Sequence, residues 1–334
     1  MDKKHRQLKK YIEEAKNILI VSHRGPDMDA FCSMLLTKEF LNIYYPEKSV
    51  IAKAKQLPSF NVPRMHDITV VETIDEGDED LIIIVDAAEI DVVCDEDDSL
   101  IDTSKPIMVI DHHTTERNKH ELIINQGHSS ACEQVILSFK EILGKRFKLT
   151  KEIAQLGQYG ISADTGRFMY ENTTSGTFRM YADLYEFSPM DLEEVTYKVN
   201  KVPIGSIPII IKLLKRFQIE KDMAYTYINR EDLEKRDKSD ANEAFRFVKD
   251  NFLRYVQGVH WGFIIKPIAD ELNNWSVSFR GIKDYQRVDT IAEDLGGGGH
   301  MYASGAKLEY SESKTIDEVL NNVLRVIKRY VPNS

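Results

Sequence analysis

The chain of 334 residues lacks any apolar run long enough to cross a membrane. Its longest apolar segments, at residues 81–85 and 207–211, fall far short of the roughly 20 residues that span a bilayer. The basic start of the chain is not followed by an apolar stretch, so we expect an exposed helix there and not a signal peptide. These absences predict a soluble, cytoplasmic protein with no membrane partner.

Cysteine is also scarce, and acidic residues outnumber basic ones. Cys32, Cys94 and Cys132 are far apart and show no Cys-x-x-Cys spacing, which is typical of thiols that fill small apolar spaces in a reducing compartment. The net charge of −10 excludes a protein that coats duplex DNA, because such a protein needs a broad basic face. A small anionic substrate at one local site remains compatible, since divalent metal ions can reverse the sign of such a site.

The first half of the chain alternates short, continuous apolar runs with helical patterns. The runs that predict strands lie at residues 17–22, 48–54, 67–73, 81–87 and 106–113, and the helical patterns lie at residues 1–16, 28–45, 131–143 and 150–166. Continuous apolar strands between helices indicate a parallel sheet that is covered on both faces.

The second half has a different pattern. Residues 190–221 are helical in texture but contain Pro203 and Pro208, which is typical of a helical linker. Beyond them the sequence predicts a strand, a helix, a β-hairpin and two further helices, at residues 223–229, 240–256, 258–281, 287–295 and 313–331. We therefore predict an α/β chain with an N-terminal parallel-sheet domain (1–190), a helical linker (191–221) and a smaller mixed α/β domain (222–334).

Acidic and imidazole side chains follow the apolar runs of the first half. They are His23, Asp27, Asp29, Asp86, Asp111, His112, His113 and Asp164. Ligands of an open parallel sheet bind beyond the carboxyl ends of its strands, so these side chains are expected to converge. A lone Asp at a strand end is more often a helix cap or turn former, and a lone His is usually structural. The full set is much harder to obtain by accident.

The chemistry of this set favours divalent metal ions. Carboxylates with imidazoles and without thiolates suit Mn²⁺ or a similar ion better than structural zinc. Asp27 and Asp29 are two residues apart on a turn and can reach two neighbouring ions, which a carboxylate such as Asp86 can bridge. Two ions about 3.5–4 Å apart can activate a water and stabilise the attacking and leaving oxygens of a phosphoryl centre.

The second half offers candidates for binding an anion. The glycine cluster Gly296, Gly297, Gly298 and Gly299 is followed by His300. Backbone N–H groups of such a cluster can approach a phosphate closely, although one glycine would suffice to end the preceding helix. Arg280, at the end of a predicted strand, can pair bidentately with a phosphate. The aromatics Trp261, Phe263, Trp275 and Phe279 can stack a base, but at strand spacing such residues are more often core.

Five motifs, in order, resemble those of the DHH phosphoesterases. They are HRGPDMDA (23–30), the Asp of IIIVDA (82–87), VIDHH (109–113), ISADTGRF (161–168) and LGGGGHMYASGAKL (295–308), the last of which is similar to the GGGH motif of the associated DHHA1 domain. The resemblance covers essentially the whole chain. It is closest to the short two-domain branch of oligoribonucleases (nanoRNases), phosphoadenosine-phosphate phosphatases and the catalytic half of cyclic-di-AMP phosphodiesterases. Phe31 and Cys32 replace residues that are usually small in the first motif.

The resemblance implies a role for each residue of the set. One metal ion would be held by His23 and Asp27 and the other by Asp29, His112 and Asp164, with Asp86 as the bridge. His113 would stabilise charge on the substrate phosphate, and Asp111 would orient the histidine pair. Substrate would be bound by Ser129, Ser130, Arg280, Gly297, Gly298, Gly299 and His300. For one of the two serines an N-cap of the next helix is an equal alternative, and Arg167 either reaches the same site or is simply exposed.

A Mn²⁺-dependent phosphodiesterase with two metal ions is therefore the leading hypothesis, with Mg²⁺ or Co²⁺ as other candidate ions. It would hydrolyse linear dinucleotides such as pApA and short oligoribonucleotides to mononucleotides. The same parts would serve a cyclic-di-AMP phosphodiesterase or a 3′-phosphoadenosine 5′-phosphate phosphatase. A nucleotide-binding sensor without activity is the alternative of another class, although the retained ligands argue against it. The family also implies a homodimer formed through the first domain.

Overall fold

The computed structural model describes residues 1–57, 62–75, 77–87, 93, 101–102, 104–113, 123–191, 193, 201–268 and 271–330. The chain divides into two compact units, Met1–Val199 and Asn200–Ser334. The boundary falls inside the predicted linker. Within the described ranges, no helix is both long enough and apolar enough to cross a membrane.

The first unit is built on a parallel sheet. Its described strands are β1 (Asn17–Val21), β2 (Ser49–Ala54), β3 (Ile68–Val70), β4 (Leu81–Val85), β5 (Ile107–Ile110) and β6 (Ile123–Ile124). They lie in the order β3-β2-β1-β4-β5-β6, and each neighbouring pair is parallel. The predicted parallel sheet is confirmed.

Apolar residues cover both faces of this sheet. Along β1, Ile18 and Ile20 belong to one hydrophobic cluster, whereas Leu19 and Val21 belong to another. β4 alternates in the same way and is buried along its whole length. A strand with apolar neighbours on both faces is apolar at every position, which explains why these runs are continuous.

Helices supply the outer layers of the first unit. Those described are α1 (Lys3–Glu14), α2 (Met28–Tyr44), α3 (Ala131–Leu143), α4 (Lys151–Asp164) and α5 (Ser175–Phe187). α2 starts soon after β1, with Asp27 as its N-cap, and packs against α3 and α4. Cys32 on α2 and Cys132 on α3 are free thiols buried in this core, as predicted for small apolar fillers.

The second unit contains a mixed sheet. Its described strands are β7 (Gln218–Glu220), β8 (Met223–Tyr227), β9 (Trp261–Pro267), β10 (Trp275–Gly281), β11 (Gly298–His300) and β12 (Ala303–Leu308). They lie in the order β11-β12-β10-β9-β8-β7. β8 and β9 are parallel, and the other neighbouring pairs are antiparallel. β9 and β10 form the predicted hairpin, and the predicted α/β fold class is confirmed.

The helices of the second unit include one in the region that the sequence assigned to the linker. The described helices are α6 (Ile207–Lys215), α7 (Arg230–Leu233), α8 (Lys238–Phe252), α9 (Asp289–Asp294) and α10 (Ile316–Ile327). Ile209 and Leu213 of α6 share a hydrophobic cluster with Phe245 and Val248 of α8. Pro208 lies in the first turn of α6, where its missing N–H costs no helical hydrogen bond. Pro208 therefore begins a helix of the second unit and does not interrupt one.

The large aromatics of β9 and β10 belong to the core. Trp261, Phe263, Trp275 and Phe279 are each at most 2% exposed and pack in one cluster with residues of α9 and α10. The sequence allowed these four side chains either to stack a base or to pack in the core. They pack in the core and are not available to stack a base.

Candidate metal centre

The carboxyl ends of β1, β4 and β5 bring predicted ligands together. His23 follows β1, Asp86 follows β4, and His112 follows β5. His23 Nε2 lies 3.7 Å from Asp86 Oδ2, and His112 Nε2 lies 3.3 Å from Asp86 Oδ1. Asp86 therefore lies between two imidazoles that come from different strands.

Asp86 has an uncommon backbone conformation. Its φ of 54° lies in the left-handed region, which residues other than glycine rarely adopt, and such positions cluster at functional sites. Its N–H donates to the carbonyl oxygen of Ile110 at 3.1 Å, which fixes the chain here. Burial alone would raise the pKa of Asp86, but the imidazoles of His112 and His23 outweigh it and lower the pKa to about 2. The carboxyl group, in a residue only 3% exposed, is thus held ionised.

Asp29 and Asp164 reach the same region from helices. Asp29 lies in the first turn of α2, and its carboxylate accepts hydrogen bonds from the N–H groups of Ala131 (2.6 Å) and Cys132 (3.1 Å) at the start of α3. Asp164 is the last residue of α4, and its Oδ2 lies 3.4 Å from His112 Nε2. Burial raises the pKa of Asp29 and raises that of Asp164 to about 6, and the carboxylate of Asp86 adds to both shifts. The carboxylates are crowded enough to repel one another.

His113 is oriented by Asp111. His113 Nδ1 lies 2.8 Å from Asp111 Oδ1, and Asp111 is 1% exposed. The rings of His112 and His113 lie 4.3 Å apart between centroids. The N–H of Asp111 donates to the carbonyl oxygen of Ile124 at 3.1 Å, so the backbone that carries this acid is fixed by β6. The contact with Asp111 therefore fixes the orientation of the His113 imidazole.

The donor atoms fit divalent metal ions. In the part of the chain that the structure describes, three groups have ligand atoms within 4.8 Å of one another: His23, Asp27 and Asp86; Asp29, His112 and Asp164; and Asp86, Asp111, His112 and His113. Among the buried polar atoms of the described residues, Asp86 Oδ1 and His112 Nε2 have no hydrogen-bond partner. Crowded carboxylates with imidazoles, and unpartnered atoms among them, suit a hard or borderline divalent cation. The first two groups bring together the residues that the resemblance assigned to the two ions, with Asp86 in the first group.

In the second unit, Arg280 lies near a second cation, Lys249, and one carboxylate, Asp250. It is half-buried on β10, and its Nε lies 3.4 Å from Asp250 Oδ1 of α8. The neighbouring Lys249 is half-buried as well. Burial, and then the charge of Arg280, lower the pKa of Lys249 to about 8. This concentration of positive charge favours an anion near Arg280.

Three of the four glycines in the cluster have structural roles. Gly296, with φ of 81°, ends α9, and the N–H of Gly297 donates to the carbonyl oxygen of Ala292 at 2.8 Å. A Cβ on Gly297 or Gly299 would come within 3 Å of the β12 backbone. A Cβ on Gly298, in contrast, would meet nothing within 4 Å. Of Gly297, Gly298 and Gly299, only Gly298 therefore has open space next to its Cα. Gly298 is therefore the glycine of the cluster that neither close packing nor a positive φ explains.

Relatives of this chain match it over nearly its whole length. The bifunctional oligoribonuclease and PAP phosphatase NrnA of Bacillus subtilis (strain 168) is 29% identical over 319 residues, which cover 94% of this chain and 95% of that protein. The probable bifunctional oligoribonuclease and PAP phosphatase NrnA of Streptococcus mutans is 26% identical over 318 residues, which cover 94% and 97%. Residues 17–161 match the model of the DHH family, N-terminal domain. The chain therefore carries a DHH-family domain over these residues.

The resemblance to the DHH phosphoesterases that the motifs indicated is thus confirmed. The prediction of a metal-dependent phosphoesterase of the NrnA branch is confirmed as well. A crystal structure of an exopolyphosphatase-related protein from Bacteroides fragilis has the same fold, with a TM-score of 0.82 at 22% identity over 98% of this chain and 96% of that one.

Gly160 supports the DHH centre although the sequence analysis did not single it out. It lies on α4, one turn before Asp164. A Cβ there would lie 2.5 Å from Asp29 Oδ1 and 2.2 Å from Cys132 Sγ. Only glycine lets α4 approach Asp29 this closely. Its place in the segment YGISADTG was the available signal.

Asn172 is a second residue that the sequence analysis missed. Its Nδ2 donates to the carbonyl oxygens of Ser129 (2.7 Å) and Asp164 (3.2 Å) and lies 3.4 Å from Asp164 Oδ2. It therefore ties the end of α4 to the segment before α3. No motif marks it, because it follows Asp164 by eight residues in an irregular segment.

Ser129 and Ser130 have structural roles. Both are fully buried. Ser130 is the N-cap of α3 and accepts from the N–H of Glu133, whereas the hydroxyl of Ser129 donates to Glu133 Oε2 at 2.6 Å. The N-cap alternative therefore holds for Ser130, and the geometry gives no support to a direct substrate contact by either hydroxyl. Arg167, with φ of 61°, is exposed.

Proposed function

We propose that this DHH phosphoesterase is a Mn²⁺-dependent phosphodiesterase that hydrolyses short oligoribonucleotides, including linear dinucleotides such as pApA, to mononucleotides. The observation that carries the proposal is the pair of neighbouring donor groups around Asp86 and His112. The choice of substrate is supported by the NrnA relatives, which are named oligoribonucleases and match 94% of the chain.

The ligands are divided as follows in this proposal. His23, Asp27 and Asp86 hold one ion, Asp29, His112 and Asp164 hold the other, and Asp86 is shared. When bound, the two ions supply an activated water and stabilise the charge on the attacking and leaving oxygens of the phosphoryl group. The mixture of carboxylate and imidazole ligands favours Mn²⁺, with Mg²⁺ or Co²⁺ as alternatives.

His113 binds the substrate phosphate. Because Asp111 accepts from Nδ1, the imidazole is held in one orientation and presents Nε2 as a donor to a non-bridging phosphate oxygen. Donors that are already oriented cost no reorganisation when charge develops on the phosphoryl oxygens. Asp111 is a positioning residue in this scheme, and it acts through His113.

The second unit binds the remainder of the substrate. Arg280, with Lys249 beside it, attracts a substrate phosphate, and the open space above Gly298 admits it to the edge strand β11 beside His300. A phosphatase activity on 3′-phosphoadenosine 5′-phosphate is a second candidate, because the two relatives are named as bifunctional and the same donor groups serve a phosphomonoester.

A turnover panel with Mn²⁺ tests the proposal. It compares pApA, oligoribonucleotides of increasing length, 3′-phosphoadenosine 5′-phosphate and cyclic di-AMP. The control replaces Asp111, His112 and His113 together by alanine. The proposal is supported if the natural chain hydrolyses the linear substrates in a metal-dependent way and the triple-alanine variant does not. Faster hydrolysis of cyclic di-AMP would replace it with a cyclic-dinucleotide phosphodiesterase, and tight binding without turnover would replace it with a nucleotide sensor.

A further inference from the structure

One aromatic pair of the second unit lies on the surface. Tyr285 is 60% exposed. Its ring stacks on that of His260, with 3.8 Å between the ring centroids and 20° between the ring planes. The core aromatics Trp261 and Phe279 are at most 1% exposed. An exposed tyrosine already stacked on a second ring forms a flat, apolar surface with a polar edge.

The segment that carries Tyr285 is held at both ends. The N–H of Ile282 donates to the carbonyl oxygen of His260 at 2.9 Å, and the N–H of Val288 donates to that of Met301 at 2.8 Å. Within the segment, the N–H of Tyr285 donates to the carbonyl oxygen of Ile282 at 3.2 Å. The ring is therefore presented by a braced turn, and little side-chain freedom is lost when a ligand contacts it.

The pair lies beside the proposed phosphate-binding residues. Arg280 pairs in register with Gly262 of β9, two residues after His260, and with Ala303 of β12. The N–H of Gly281 donates to the carbonyl oxygen of Tyr302 at 2.9 Å, and the N–H of Asp284 donates to the hydroxyl of the same tyrosine at 3.2 Å. The turn that carries Tyr285 is thus hydrogen-bonded to the residues that directly follow β11, Met301 and Tyr302.

We propose that Tyr285, supported by His260, is a stacking surface for a nucleobase of the substrate. The proposal rests on the proposed function, because it assigns a base to a chain that binds nucleotides through Arg280 and β11. A ring beside a cationic phosphate site matches a nucleotide, whose base and phosphate are joined through one ribose. Stacking on an aromatic face accepts any base, so the surface serves oligoribonucleotides of mixed sequence.

Calorimetric titration of the Mn²⁺-loaded full chain with AMP tests this surface, with ribose 5-phosphate as the ligand that lacks a base. We expect Tyr285→Ala to weaken AMP binding about tenfold or more and Tyr285→Phe to retain it, because stacking needs the ring and not the hydroxyl. The binding of ribose 5-phosphate should be the same in all three proteins. Phe178→Ala is the matched control, since Phe178 is 54% exposed and stacked on Phe168 in the first unit.

Three results would overturn the proposal. They are unchanged AMP binding by Tyr285→Ala, an equal loss of AMP and ribose 5-phosphate, and no binding of AMP by the natural chain. The KM for pApA separates this proposal from the proposed function. Hydrolysis of pApA with the same KM in Tyr285→Ala and the natural chain rejects the stacking surface alone. No hydrolysis of any linear substrate, with AMP binding that still depends on Tyr285, rejects the proposed function alone.

Discussion

Asp86 is the residue that both ions share in the proposed two-metal centre. It belongs to the donor group with His23 and Asp27, and its Oδ1 lies 3.3 Å from Nε2 of His112, a member of the other group. Its backbone has a positive φ. Alanine is strained at such a position, whereas asparagine tolerates it, so Asp86→Asn removes the charge with less disturbance of the chain than Asp86→Ala. We expect either change to lower kcat/KM by at least about a hundredfold and to reduce the number of Mn²⁺ ions bound. Turnover and equilibrium dialysis measure the two effects.

The control for this prediction is Asp183→Asn, which removes an exposed carboxylate on α5 of the same unit. It should leave kcat/KM and the number of bound Mn²⁺ ions as they are in the natural chain. Near-normal Mn²⁺-dependent turnover by Asp86→Asn would contradict a shared carboxylate and, with it, the two-metal centre.

Gly160 and Gly157 form a natural pair of tests on α4. A Cβ on Gly160 would meet Asp29 Oδ1 at 2.5 Å, whereas a Cβ on Gly157 would meet Ile136 and Leu184 side chains at 2.7 and 2.8 Å. Both alanine variants overpack the core and should lose about 1–3 kcal/mol of unfolding free energy in urea titrations. Only Gly160→Ala should also weaken Mn²⁺ binding. Equal Mn²⁺ affinity in the two variants would mean that Gly160 does not position Asp29.

At the scale of elements, the first turn of α3 organises the centre from outside the sheet. Its N–H groups hold Asp29, and Glu133 Oε2 accepts from the N–H of Ser129 (3.1 Å) and from the hydroxyls of Ser129 (2.6 Å) and Thr177 (3.1 Å). Glu133→Gln removes the charge from a buried acceptor of these bonds. We expect a loss of about 2 kcal/mol or more in unfolding free energy, measured by urea denaturation.

The comparison for this prediction is Glu141→Gln on the same helix. The side chain of Glu141 is 44% exposed and pairs with the chain's amino group, and a surface ion pair contributes at most about 1 kcal/mol. A Glu133→Gln variant as stable as Glu141→Gln would show that the Glu133 network does not anchor α3 to α5.

Elements with strong periodicity could be predicted from the sequence, and those defined by tertiary contacts could not. β1, β4 and β5 are continuous apolar runs because both faces are covered, and the pattern for α3 predicts its bounds, residues 131–143. α5 was missed, since Phe178 and Tyr185 are exposed on it and blur the apolar stripe. β11 was missed because glycines have no side chain to reveal a strand, and its pairing with β12 creates it.

The centre itself could be predicted further than its surroundings. Candidate ligands such as His23, Asp86 and His112 are chemically distinctive and follow recognisable strands, so their convergence could be inferred from topology alone. The residues that orient them could not, because Gly160 and Asn172 act through close approach and backbone hydrogen bonds that carry no sequence signature. The fold of both units, in contrast, agrees with the predicted α/β class because β1 to β5 and β8 to β10 follow from strand patterns that the sequence shows.

For the whole molecule, the two units imply a division of labour that kinetics can separate. Arg280 belongs to the second unit, whereas the proposed metal-binding groups belong to the first. Arg280→Ala should therefore raise the KM for pApA about tenfold while kcat changes little and Mn²⁺ stoichiometry stays constant, because a binding contact is lost and the reacting groups remain. The control is Arg329→Ala, since its side chain is 63% exposed and pairs with Asp294 in the same unit. A fall in kcat at unchanged KM would place Arg280 at the reacting phosphate and would end the proposed separation of binding from chemistry.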